Sequence, residues 1–185
     1  MTKAEIQAEM DRAQSAYYRQ EMMDAALIYK KLALQNYLPA QTALGYLLDY
    51  TEASDQAVGW YIMAAFQGDA TGAYALGNAY ITGAGIKKDP AQGLYWTRFA
   101  ADKGNLNAIK VLESAYRRGE TSGLAVKVDI GQAEYWKSKR IPLQEAEKKE
   151  RVEAEAKQAE MHKQQVEITK KADDEAAAKR FGKGK

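Results

Sequence analysis

The segment Trp60-Tyr61-Ile62-Met63-Ala64-Ala65-Phe66-Gln67-Gly68 aligns with Trp96-Thr97-Arg98-Phe99-Ala100-Ala101-Asp102-Lys103-Gly104, so that Trp, the Ala pair and the closing Gly coincide 36 residues apart. A third copy opens at Tyr135-Trp136-Lys137, 40 residues beyond Trp96, and a weaker one, Ile28-Tyr29-Lys30-Lys31-Leu32-Ala33, begins 32 before Trp60. The intervening stretches match too: Ala43-Leu44-Gly45-Tyr46 recurs 32 residues later as Ala75-Leu76-Gly77-Asn78. A period of this length means stacked supersecondary units, none of which buries its apolar face alone. The core is then distributed between neighbouring units, and no central enclosed site need exist.

Each unit reads as two short helices. Ala64, Ala65, Ala100, Ala101, Gly45 and Gly77 are small enough to let helix axes approach, while Trp60, Trp96, Tyr80 and Tyr116 fill the space between neighbouring hairpins. Gly68 and Gly104 suit left-handed C-terminal caps, and Asp69 and Asn105 follow as N-caps of the next helix. Thr2 with Glu5 forms a capping box, Pro39 opens a helix, Ser54 caps another, and Asp89-Pro90 is an N-cap with a first-turn proline. These signals predict helices near 3–19, 22–35, 39–50, 55–67, 70–82, 90–103, 106–118, 130–139 and 143–179, and no alternating strand.

The string Leu76-Gly77-x-x-Tyr80-x-x-Gly83-x-Gly85-Ile86-x-x-Asp89, then Trp96-x-x-x-Ala100-Ala101-x-x-Gly104, resembles the Sel-1-like repeat (SLR), a relative of the tetratricopeptide repeat. The resemblance covers about residues 37–140, with a degenerate first unit over 4–36. It departs from the pattern at Asp49-Tyr50-Thr51-Glu52-Ala53-Ser54, which lacks the Gly-x-Gly loop, and in an insertion from Gly119 to Lys127. It implies an all-α fold: a right-handed α-solenoid of about four αα hairpins over residues 1–140, followed by a charged helical tail over 141–185. It also implies a non-catalytic scaffold or adaptor that binds a protein or peptide partner. In solenoids of this type the first helix of each unit lines the concave side. Equivalent offsets along those helices select Thr42, Tyr46 and Asp49, then Tyr74, Asn78 and Ile81, then Lys110, Ser114 and Arg117 as partner-binding positions. Similar bacterial proteins include immunity proteins that block a cognate secreted toxin, such as a phospholipase effector, which is the alternative function.

Composition separates the tail from the rest. From Ile141 onward about 47% of residues are charged, against about 22% before it, and all three Trp and all twelve Tyr precede Ile141. Only the first part can build a packed core. The tail carries acid-first i,i+4 pairs at Glu145–Lys149, Glu153–Lys157, Glu167–Lys171 and Glu175–Lys179. Its best heptad seam, Val152, Ala159 and Val166, continues to Asp173 and is too polar for a strong dimer. A solvated helix is the favoured reading, with weak oligomerisation or tail-mediated contact as the other.

No catalytic, cofactor or metal residues are assigned. The chain has no Cys, which removes thiolate metal sites and cysteine nucleophiles and separates it from cysteine-rich relatives linked to β-lactam binding. The one His, His162, lies in the charged tail, which argues against a triad or a His-based metal site. Gly83-Ala84-Gly85 lacks the Lys-Ser/Thr of a P-loop and reads as a repeat turn. Acids interleave with the basic cluster near Arg140, and the net charge is +2, so a nucleic-acid partner is disfavoured. No apolar run reaches the ~20 residues of a membrane span. As written the chain reads as cytoplasmic, or as periplasmic had a leader been removed.

Overall fold

The computed structural model describes residues 1–121 and 123–181, with side chains as far as residue 170. Its contacts divide the chain into two units, Met1–Ile141 and Pro142–Lys185. In chain order the helices are α1 (Lys3–Tyr18), α2 (Met22–Ala33), α3 (Leu38–Tyr50), α4 (Ser54–Phe66), α5 (Ala70–Thr82), α6 (Pro90–Asp102), α7 (Leu106–Arg118) and α8 (Ile130–Phe181). The fold is the expected α-solenoid of αα hairpins with a long charged C-terminal helix.

Local chemistry sets the helix ends. Thr2 and Glu5 form the reciprocal capping box, Asp69 accepts from the Gly72 amide, Asn105 from Ala108, and Asp89 from Ala91 and Gln92. Five hairpin junctions close in the same way. The amides of Glu21, Tyr37, Ala53, Asp69 and Asn105 each reach back five residues, to the carbonyls of Ala16, Leu32, Leu48, Ala64 and Ala100. That closure needs a left-handed residue just before it. Gly68 and Gly104 supply it at φ 87°, while Gln20, Asn36 and Glu52 adopt φ 65°, 64° and 64°.

Two buried clusters run through the first unit. Ala13, Ala16, Tyr29, Leu32, Leu44 and Leu47 join α1, α2 and α3. Val58, Tyr61, Leu76, Ile81, Trp96, Ile109, Leu112 and Trp136 belong to a second cluster, built on α4 to α7 and the start of α8. Leu48 packs against both. Glycines set the closest approaches: a Cβ on Gly77 would stand 2.8 Å from Thr97 Oγ1 and 3.1 Å from the Thr97 backbone nitrogen. Thr97 is fully buried and donates its hydroxyl to the Gly93 carbonyl at 2.8 Å.

Three expectations are corrected. Ser54 is the first residue of α4 and not its cap; its hydroxyl donates to Asp49 Oδ1 at 2.5 Å, a tertiary partner that wins over the helix end. The insertion after α7 forms a two-strand hairpin, β1 (Glu120–Thr121) and β2 (Leu124–Ala125), too short for alternation to show in sequence. Its Leu124 is buried in the core. Finally, α8 runs through Pro142 without a break. The proline forfeits one hydrogen bond, to the carbonyl of Ser138, and the surrounding Ala, Glu, Lys and Gln residues favour helix strongly enough to absorb that.

Within the second unit the described side chains from Glu145 to Lys170 are all exposed. The ion pairs found there run base-first, Lys149–Glu153 at 3.9 Å and Arg151–Glu155 at 3.6 Å, rather than through Glu145–Lys149 or Glu153–Lys157. The pairs expected at Glu167–Lys171 and Glu175–Lys179, and the seam member Asp173, lie outside the described side chains. Among the described residues no helix is long and apolar enough to cross a membrane.

Candidate interaction surface

The first helices of successive hairpins, α3, α5 and α7, carry the nine positions selected by offset, and the structure sorts them by burial. Ile81 is 2% exposed and belongs to the core, and Thr42 is 5% exposed, so neither can serve as an exposed contact. Thr42, two residues beyond Ala40, and Ile81, nine beyond Gly72, lie on the buried faces of α3 and α5. Thr42 instead ties α3 to the cap of α5, its hydroxyl donating to Asp69 Oδ2 at 2.8 Å. Tyr46, Asp49, Lys110 and Arg117 are exposed, and Tyr74, Asn78 and Ser114 are half-buried.

These seven residues do not form one uniform strip. Tyr46, Asp49 and Asn78 meet at a cavity of about 190 Å³ between α3 and α5, completed by Val58 and Tyr61 of α4, Thr82 and the small side chains of Ala75, Ala79 and Ala84. Lys110, Ser114 and Arg117 line a second, shallower cavity of about 240 Å³ with Glu113, Arg118 and Arg140. The first holds one carboxylate and no base; the second holds four bases and one carboxylate.

Two residues that the offsets passed over matter here. Tyr61 comes from α4, a second helix, and reaches the α3–α5 cavity because Gly45 lies flat against its ring: a Cβ there would stand 2.7 Å from Tyr61 Cδ1. The Tyr46 and Tyr61 rings meet edge-on, with centroids 5.5 Å apart. Gly45 was the available signal, since it is the small residue facing the aromatic stripe. Burial, reinforced by the Asp49 carboxylate and Tyr46, pushes the Tyr61 phenol far above its ordinary value. Burial likewise raises Tyr46, with smaller contributions from Tyr74, Asp69 and Asp49. Both therefore stay neutral phenols at physiological pH.

Glu113 is the other. It accepts from Arg140 Nε at 2.7 Å and lies 3.7 Å from Arg117, which also donates to Glu134 at 2.8 Å. The Arg117 hydrogen bond, helped by Lys137, holds the Glu134 carboxyl below its usual range. Charges at this end of the row are thus largely matched within the chain, except Lys110 and Arg118, for which no ion pair is found among the described residues.

A larger cleft of about 630 Å³ between α1 and α2 is lined by Asp11, Arg12, Arg19, Glu21 and Asp24, where Arg19 and Glu21 already satisfy each other through two hydrogen bonds. No cluster of three or more metal-ligating side chains exists among the described residues.

The Sel1 repeat family model matches three segments, residues 38–69, 70–105 and 112–137, which together make up just over half of the chain. They correspond to α3 with α4, α5 with α6, and α7 with the start of α8. The crystal structure of a Sel1 repeat protein from Oxalobacter formigenes is similar at 31% identity and a TM-score of 0.64, over 76% of this chain and 58% of that one. A protective antigen present in uropathogenic Escherichia coli strains and displaying an SLR fold is similar at 29% identity and a TM-score of 0.62, over 74% of this chain and 30% of that one. The chain thus spans less than two thirds of the length of either. No curated protein matches it.

Proposed function

The chain belongs to the Sel1 repeat family, whose members generally mediate protein–protein interaction, and from that premise we propose that it is a non-catalytic scaffold or adaptor holding a protein or peptide partner on the concave side of its solenoid. The observation that supports this reading is the row of side chains on α3, α5 and α7 that the core does not use. Tyr46, Asp49, Asn78, Lys110 and Arg117 each expose a polar or aromatic group, and together they line two small cavities. Rigid aromatic groups and arginines flanked by small cavities are what a protein interface draws its binding energy from.

Pull-down with the full chain, with a truncation ending near Arg140, and with the pair Lys110→Glu and Arg117→Glu tests it. The reading expects wild type and truncation to capture the same partner and the charge-reversed pair to lose it while keeping the helical circular dichroism of wild type. Capture that survives in the pair but disappears with the truncation would move recognition to the tail and sink the concave-side reading. A captured partner that is a secreted enzyme losing activity on binding would mark the chain as an inhibitor of the immunity type instead of an adaptor.

A further inference from the structure

Two buried side-chain polar atoms have no hydrogen-bond partner among the described residues, the Tyr61 hydroxyl and Trp136 Nε1. Trp136 lines none of the cavities described above. Tyr61 lines the α3–α5 cavity, and an unpaired buried hydroxyl is costly unless something else completes it. We propose that this cavity is a socket for a basic side chain, lysine or arginine, of the partner protein, whose N–H groups bridge the Tyr61 hydroxyl oxygen and the Asp49 carboxylate. The inference rests on the concave-side reading above and names the chemistry that reading lacks.

Four observations point to a cation. The lining contains one carboxylate, two phenols and the Asn78 carboxamide, but no basic residue. Asp49 gives Oδ1 to Ser54, which leaves its second oxygen available. The last turns of α3 and α5 both reach the cavity, through Asp49 and through Ala79 and Thr82, and helix C-termini carry partial negative charge. Neither helix places a basic residue in that last turn, whereas α7 carries Arg117 and Arg118 there. Arg117 occupies the repeat position that Asp49 holds in α3. The third unit therefore neutralises its own helix end, and the first two leave that to an incoming group.

Size and surface agree. A volume of about 190 Å³ equals roughly six times the ~30 Å³ share of one water, enough for the five to seven heavy atoms of a lysine or arginine side chain. Tyr46 and Tyr61 supply aromatic surface for the aliphatic stem and the cationic head.

The test uses the full chain and blocked tripeptides Gly-Arg-Gly and Gly-Lys-Gly, with Gly-Glu-Gly and Gly-norleucine-Gly as controls, followed by amide NMR shifts. The basic peptides are expected to shift residues Tyr46–Asp49 and Asn78–Thr82 in a saturable manner, and the controls to leave them unmoved. Asp49→Asn is expected to weaken that binding by roughly tenfold or more, the scale of one lost charge-assisted hydrogen bond. Tyr61→Phe is expected to weaken it by several-fold without lowering Tm, because the hydroxyl has no partner to lose among the described residues. Equal shifts from norleucine or glutamate, no shifts from either basic peptide, or unaltered binding in both variants would overturn the proposal. Spermidine binding tighter than either peptide would assign the socket to a free amine and overturn it also. If the Lys110→Glu and Arg117→Glu pair loses the partner while Asp49→Asn and Tyr61→Phe keep it, the concave-side reading stands without the socket; capture by all of them removes both.

Discussion

Glycines of equal helix propensity carry opposite consequences in this solenoid, depending on what faces their missing Cβ. Gly59, exposed in α4, has nothing within 4 Å of where a Cβ would stand. Gly77, in α5, would press a Cβ against Thr97 Oγ1 at 2.8 Å, the Thr97 nitrogen at 3.1 Å and the Gly93 carbonyl at 3.2 Å. Two of those three atoms are backbone, so the neighbour cannot rotate away. Gly59→Ala is therefore expected to raise stability by about 0.5–1 kcal/mol, the ordinary glycine-to-alanine gain within a helix. Gly77→Ala collects the same gain but forces α5 and α6 apart, and overpacking of about 1–3 kcal/mol outweighs it. Urea denaturation of both variants checks the sign: an unchanged or raised midpoint for Gly77→Ala would show that the α5–α6 approach is not as tight as the geometry requires.

At the scale of helices and hairpins, what could be read from sequence was whatever is encoded locally. Asp69, Asn105 and the Asp89-Pro90 pair announce helix starts because a cap needs only its own next two or three amides. The left-handed closures at Gln20, Asn36 and Glu52 stayed hidden since none is glycine, although the same turn at Gly68 and Gly104 was legible. Ser54 misled because a residue from the preceding helix, Asp49, takes its hydroxyl. The spacing of 40 between Trp96 and Trp136, against 36 between Trp60 and Trp96, has a direct structural cause. Asp89 donates its amide to the Tyr80 carbonyl at 2.8 Å, and Asp129 does so to Tyr116 at the same distance, so the β1–β2 hairpin is an insertion between equivalent anchors. Of the interaction surface, the exposed members of α3, α5 and α7 followed from the repeat, but Tyr61 did not, since its position depends on the packing of α4 against Gly45. Helix α8 misled through Pro142, and it yields a prediction of its own. Pro142→Ala restores an amide that can donate to the Ser138 carbonyl and removes a steric conflict, together about 3 kcal/mol within the helix. Hydrogen exchange should slow at residues 138–146 while the protection of α5 and α6 stays unchanged; no slowing there would mean that the helix is already unwound around Pro142 in solution.

For the whole molecule, the decisive property is that burial is shared between neighbours. The cluster on α1, α2 and α3 and the cluster on α4 to α7 with the start of α8 meet at Leu48, which packs against both, and at Trp60, which packs against the first from α4, with the Tyr46–Tyr61 ring contact and the Thr42–Asp69 hydrogen bond crossing beside them. Arrays of this kind gain stability from each hairpin and each interface in turn, so their ends can open without the middle. Leu32 and Leu112 are both fully buried, one in each cluster, and make a matched pair of probes. Either Leu→Ala change should cost about 2–5 kcal/mol locally. If the clusters are energetically separate, Leu32→Ala accelerates hydrogen exchange through α1, α2 and α3 and leaves α5, α6 and α7 near wild-type protection. Leu112→Ala does the reverse for α5 to α7, and lowers α1 to α3 much less. Uniform loss of protection across all helices in both variants would instead mean one cooperative unit from Met1 to Ile141. The difference bears on the proposed function, because α3, which gives Tyr46 and Asp49 to the proposed socket, carries Leu44 and Leu47 of the first cluster, while the Val58, Tyr61, Ala75 and Ala79 of its lining belong to the second. With separate clusters, Leu32→Ala loosens one wall of that socket and weakens binding of the arginine tripeptide, while the basic surface of α7 remains folded and unaffected.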